Sequence, residues 1–368
     1  MFRESIKSKH TANTYAFVLA SFKKQTGIAD LTKIESKQLE KRMIEFVISL
    51  KHRGISYSHQ NNYISALKKF CRVFDIEGIN WEKVWDYTSE PETNRTDKPY
   101  TREQIESMLL RASIRDKAII LLSLSTGCRV GGIASLRVGD LTEIDGFTGY
   151  RVQVYATSKK YAYTTFCTPE ARKAIDLYLG ERKIKKEILT PSSPLFRTEF
   201  KKVAPMSEYT IRAAINVCAK AIGLRPKIDR KARHATASTH GFRKMANTAF
   251  VKAGVRPVYG ECLLGHKKGL QDNYLRIDDT DLLNDYIKAI PMLTISKEDE
   301  LKADNERLLI ENATIDELKA RLMNKDYNNE AFQSASYEAY KAQDELEEMR
   351  QTMGEMKAEI ERMKQERK

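Results

Sequence analysis

Within residues 240–274 stand two imidazoles, a guanidinium and a phenol in motif positions: His240 and Arg243 in His-Gly-Phe-Arg, His266 closing Leu264-Gly265-His266, and Tyr274 in Asp-Asn-Tyr. Arg129 lies upstream, directly after Thr126-Gly127-Cys128, and the pair Lys159-Lys160 falls between. The set suits attack on a phosphate. Moving a phosphodiester without a metal needs a nucleophile, charge stabilisation and an acid for the leaving group. A phenol has an ordinary pKa of about 10, so Tyr274 needs a proton acceptor or an electropositive site. Arg129 and Arg243 can each fork onto non-bridging oxygens and stay cationic at every working pH. A lysine can protonate the departing oxygen. His240 would accept a proton near Tyr274 or add a phosphate donor, and His266 would mainly hydrogen-bond the phosphate. No carboxylate cluster stands at metal-ligand spacing, so neither a metal nor another cofactor is expected.

The elements that must position these residues are mostly helical. Tyr15, Val18 and Phe22 make one apolar stripe, Leu39, Met43, Phe46, Val47 and Leu50 a second, and Tyr63, Leu67, Phe70 and Phe74 a third. Gly54 reads as a stop after the second. The third helix carries Lys68, Lys69 and Arg72 on its other face, which can touch phosphates while the first face packs; a merely solvated face explains it equally well. Residues 1–90 thus form a helical domain. A turn-rich, charged stretch, TSEPETNRTDK, marks a linker over 91–99. Thr101-Arg-Glu-Gln104 has the pattern of a capping box. Asp116–Ser125 is apolar nearly all round, as a buried central helix would be, and ends at Thr126-Gly127. From Phe147 to Cys167 the period changes to two, with Val152 and Val154 alternating with Arg151, Gln153 and Tyr155. That is a β-hairpin with Ser158-Lys159-Lys160-Tyr161 at its tip. Residues 100–296 form this second, α-rich domain with a small antiparallel sheet.

Residues 297–368 differ. Leu301, Leu308, Ile315 and Leu322 repeat every seven; from Phe332 through Ala335, Ala339, Ala342, Leu346, Met349, Met353, Met356, Ile360 and Met363 the spacing alternates three and four. The two frames disagree, and the slip falls at 324–330. Two coiled-coil segments are expected, acting in self-association or partner binding. A single amphipathic helix packed on the body is the alternative.

Charge points to the partner. The net charge is +13, but residues 1–296 hold 50 Lys+Arg against 31 Asp+Glu, and residues 297–368 hold 13 against 19. A strongly basic body suits a polyanion, most often nucleic acid. The five cysteines are scattered with no CxxC, so neither a disulfide framework nor a zinc knuckle is expected. No apolar run reaches the length of a membrane span and Met1-Phe-Arg-Glu opens no signal peptide. The expected location is cytoplasmic and DNA-associated.

The order of these motifs resembles the tyrosine recombinase, or phage-type integrase, family. The resemblance covers about residues 8–290 and is most specific over 126–276. The family's Thr-Gly-x-Arg stands as Thr126 to Arg129, its H-x-x-R box as His240 to Arg243, its Leu-Gly-His as Leu264 to His266, and its nucleophile as Tyr274. The family's hairpin lysine falls best on Lys159, with Lys160 as the competing choice and otherwise a DNA contact. The resemblance implies a DNA-clamping core-binding domain over residues 1–90. It also implies strand cleavage and rejoining through a 3′-phosphotyrosine without metal or ATP, on double-stranded DNA in a tetrameric synapse. Two departures stand out. Where the family often has an acid three positions after the first arginine, this chain has Gly132, so another group must orient Arg129. The spacing from His266 to Tyr274 is about one residue short, which leaves Tyr259 and Tyr286 as alternative nucleophiles. A type IB topoisomerase-like enzyme shares the chemistry, and a non-catalytic architectural DNA-binding protein could keep the fold.

Overall fold

A computed structural model describes residues 1–91, 98–199, 204–226, 234–266, 277–299, the single positions Leu301, Asn305 and Ile315, and 330–365. The chain divides into two compact units, Met1–Thr96 and Asp97–Lys368.

The first unit is helical: α1 (Lys9–Thr26), α2 (Ser36–His52), α3 (Tyr57–Val73) and the short α4 (Trp81–Asp86). Ser8 caps α1 through its hydroxyl, and Gly27 and Gly54 leave α1 and α2 in left-handed geometry at φ +72° and +66°. The apolar stripes meet in one core, where Phe22 packs edge-on against Phe46 at 5.1 Å. Lys68 does not project freely from α3. Its ammonium sits over the rings of Trp85 and Trp81, 5.2 and 5.9 Å from their centroids. Arg72 is exposed and Lys69 half-buried.

The second unit is built round α6 (Ile114–Thr126), buried without a break from Ala118 to Thr126. A helix that is apolar all round needs neighbours on every side. α5 (Arg102–Arg111), α8 (Pro169–Ile184), α9 (Glu208–Ala221), α10 (His240–Lys252) and the short α13 (Ile290–Leu293) supply them. The Thr101–Gln104 capping box forms at the start of α5. α7 (Val130–Ser135), α11 (Pro257–Leu263) and α12 (Asp279–Ile287) complete the shell. The period-two stretch forms β2 (Phe147–Val154) and β3 (Tyr163–Cys167), paired antiparallel from Tyr150 opposite Cys167 to Val154 opposite Tyr163. A third strand, β1 (Leu141–Ile144), joins the other edge of β2. At four residues, with a register shift inside it, β1 is too short and irregular for alternation to reveal.

Of the tail, α14 (Glu330–Gln365) is described. Leu346 is 4% exposed, and Met349, Met353, Met356, Ile360 and Met363 are half-buried. Ile360 and Met363 share a cavity of about 400 Å³ with Leu109, Leu121 and Ile295, and Lys297 pairs with Glu359 at 3.2 Å. From Ala342 onward the second heptad frame therefore lies on one helix face, which rests on the body at its far end. The first frame lies largely outside the described residues. Among the described residues, no helix is long and apolar enough to cross a membrane.

Candidate active site

The end of α6 begins the site. Gly127 takes φ +58° as its C-cap, and a Cβ there would come within 2.6 Å of Leu264 and 3.1 Å of Ala246. Glycine is thus required both by conformation and by space. The turn delivers Arg129 to the N-cap of α7, exposed, with Nη1 donating to the Gly265 carbonyl at 3.4 Å. Among the described residues Arg129 is paired with no carboxylate. A backbone carbonyl therefore stands where the family's acid was missed. An acid at Gly132 would in any case collide with Val154, which lies 2.8 Å from its Cβ position.

Arg243 occupies the first turn of α10 and is 6% exposed. Its Nη1 donates to Gly127 O at 2.7 Å, and Nη2 donates to Leu264 O at 2.8 Å and meets His266 Nε2 at 2.6 Å. One side chain thus ties the end of α6, the start of α10 and the end of α11. Burial, and then the neighbouring charge of Arg129, pull the Arg243 pKa below its ordinary value. Two guanidiniums held this way repel each other, and an anion between them would relieve that repulsion. His266 follows Gly265, which takes φ +65° and has the ring of Tyr163 against it. Its Nδ1 lies 2.5 Å from Glu261 Oε2.

A cleft of about 470 Å³ opens beside this junction, lined by Arg129, Tyr155, Lys160, Tyr163, His266 and Ile277 among others. The hairpin lysine on its wall is Lys160. Both lysines are exposed, the Lys160 ammonium 5.4 Å from the Tyr161 ring centroid, and Lys159 is not part of the lining. Tyr155 leaves β2 at φ +54°, and Ser158 N then bonds Tyr155 O, closing a tight turn just before the two lysines. Tyr163 closes the floor, its hydroxyl donating to Cys128 Sγ at 3.2 Å, and burial raises its phenol pKa. His240 opens α10, exposed, one turn before Arg243, and lies outside the cleft lining.

Tyr274 lies outside the described residues. The alternative tyrosines are both core residues. Tyr286 is fully buried, its hydroxyl donating to Ser125 O at 3.0 Å, and burial pushes its pKa well up. Tyr259 is buried with the Arg256 guanidinium 3.6 Å from its ring centroid. Neither reaches the cleft. Glu261, Tyr155 and Tyr163 escaped the sequence reading, since no motif marks them; the five-residue step from Glu261 to His266 meets only because the chain turns at Gly265.

Residues 100–280 match the model of the phage integrase family. The chain is 26% identical over 305 residues to tyrosine recombinase XerC of Thermodesulfovibrio yellowstonii, covering 80% of this chain and 93% of that protein. It is 28% identical over 149 residues to tyrosine recombinase XerA of Pyrococcus furiosus; that match covers 39% of this chain and 47% of XerA, less than half its length. Among solved structures, XerH site-specific recombinase bound to palindromic difH substrate, a post-cleavage complex, shares the fold. Its TM-score is 0.52 at 18% identity, covering 70% of this chain and 73% of that one.

Proposed function

We propose that this chain, which belongs to the phage integrase family through residues 100–280, is a site-specific DNA recombinase whose nucleophile is Tyr274. The observation that carries the reading is the convergence of Arg129, Arg243 and His266 beside a cleft that also takes in Lys160. Full covalent reach allows about 10–11 Å between the Cα atoms of Tyr274 and Ile277, a cleft residue. The phenol oxygen of Tyr274 attacks the scissile phosphorus, Arg129 and Arg243 draw charge from the non-bridging oxygens, and the P–O5′ bond breaks. The leaving 5′ oxygen takes its proton from the Lys160 ammonium, and His240 takes the proton of the phenol. The 3′-phosphotyrosine keeps the bond energy for rejoining. The excess of 50 Lys+Arg over 31 Asp+Glu in residues 1–296 supports duplex DNA as the substrate. The helical first unit would clamp that DNA, using Arg72 and Lys69 more than the ring-bound Lys68.

A nicked suicide substrate tests this. The wild-type chain is expected to accumulate a covalent DNA adduct with a free 5′ hydroxyl. Lys160→Ala should slow adduct formation by about 10²–10⁴-fold, and Lys159→Ala by less than about threefold. DNA binding without any wild-type adduct would leave an architectural protein, and equal losses at the two lysines would undo the choice of Lys160. A substrate with paired sites separates a recombinase from a topoisomerase, because only the former yields rearranged joints.

The tail serves assembly, through self-association of the heptad positions that precede Ile360 and Met363, whose end of the helix rests on the body. Deleting residues 297–368 should lower the association state in sedimentation and spare single-site cleavage. Loss of cleavage by a truncated body that still folds and binds DNA would contradict that division.

A further inference from the structure

We propose that Glu261 is a positioning residue that sets which nitrogen of His266 bears the proton, and through His266 holds the guanidinium of Arg243. The inference rests on the strand-cleavage reading of the cleft for its functional part and on hydrogen-bond chemistry for its structural part.

A guanidinium can only donate, so at 2.6 Å from Arg243 Nη2 the Nε2 atom of His266 must be the acceptor. Neutral imidazole then carries its proton on Nδ1, and that N–H points at Glu261 Oε2, 2.5 Å away. The two neighbours demand the same tautomer from opposite edges of the ring. The backbone adds a third constraint, because His266 N donates to Glu261 O at 2.9 Å, closing the turn that brings the two residues together. The sequence suggested a histidine that donates to phosphate. The geometry gives instead a histidine whose Nε2 is already engaged as the acceptor of an arginine.

The consequence lies with Arg243. With Nη1 on Gly127 O and Nη2 shared between Leu264 O and His266, the guanidinium plane is defined by three acceptors. Two are backbone carbonyls fixed by the fold. The third is a side chain 35% exposed, held at its far edge by Glu261, itself 52% exposed. Without the carboxylate, His266 is free to take the other tautomer. Its Nε2–H would then confront an arginine N–H, and the ring or the guanidinium would have to turn. An exposed Glu–His pair contributes little to stability. The effect of Glu261 is therefore on placement: partners of this kind typically shift activity by about 10–100-fold at metal-bound histidines, the nearest measured analogy.

Histidine ¹⁵N resonances of the full chain without DNA read the tautomer directly, with His266 assigned by its loss in His266→Gln. In the wild type, Nδ1 should be protonated and Nε2 bare. Glu261→Ala should move His266 toward a mixture or the Nε2–H form. Glu261→Gln should keep the wild-type pattern, since the amide oxygen can take the place of the carboxylate and accept from Nδ1–H. In single-turnover cleavage at saturating DNA, Glu261→Ala should lose about 10–100-fold in rate with its Kd for DNA within about threefold, and Glu261→Gln should recover most of the rate. An unchanged tautomer in Glu261→Ala, a loss in Kd rather than rate, or a Gln variant as slow as the Ala variant would each overturn the proposal. Should the wild type form no adduct, the strand-cleavage reading fails by itself, and the resonances still decide whether Glu261 sets the tautomer.

Discussion

Tyr274→Phe is expected to abolish the covalent DNA adduct, by at least about 10⁴-fold in rate, while DNA affinity stays within about threefold. In the proposed reaction the oxygen removed is the one that bonds to phosphorus. Tyr155, Tyr161 and Tyr163 also line the cleft; the Tyr163 hydroxyl is engaged with Cys128, and burial raises the pKa of both Tyr163 and Tyr155. Tyr286→Phe supplies the contrast. It removes the bond to Ser125 O from a buried site, so it should cost about 1 kcal/mol of stability and leave the adduct intact. Tyr259→Phe should likewise keep the adduct, since the aromatic face under Arg256 remains. Suicide-substrate trapping on denaturing gels reads all three variants. An adduct with Tyr274→Phe, or its disappearance in either of the others, would remove Tyr274 as nucleophile.

Arg243→Ala should lose about 10²–10³-fold in cleavage rate and also lower Tm, whereas Arg129→Ala should lose comparable rate with Tm nearly unchanged. The difference comes from burial. Arg243 is 6% exposed and satisfies two carbonyls that cap α6 and end α11. Stripping a donor from a buried carbonyl costs about 1–3 kcal/mol, partly offset here because the charge is no longer desolvated. A net loss of about 2 kcal/mol in a unit of this size lowers Tm by roughly 4–8 °C. Arg129 is exposed and its contact at 3.4 Å is long, so its removal leaves the fold intact. Arg243→Lys should not restore the rate, since a single ammonium cannot reproduce the planar fork. Cleavage rates measured beside thermal melts decide the matter. An Arg243→Ala variant that melts early but cleaves normally would make that residue purely architectural.

The sequence alone revealed whatever depends on neighbours close along the chain. Helix stripes in the first unit, the buried run of α6, its glycine stop, the capping box at Thr101 and the period-two strands all follow from side-chain spacing and backbone preference. The motifs around Arg129, Arg243 and His266 were legible for the same reason, because each residue is tied to a helix end or a turn that marks itself. What needed the tertiary structure was every choice between equals. Lys159 and Lys160 are identical and adjacent, and only the folded hairpin shows that Lys160 lines the cleft. Tyr259 and Tyr286 read as free phenols until packing buries them. The acid missing at Gly132 is explained by Val154, which arrives from β2. The proton on His266 is assigned only once Arg243, from α10, and Glu261, from α11, stand on either side of the ring. A linear sequence states which donors and acceptors exist; which of them meet is decided by contacts between segments far apart in the chain.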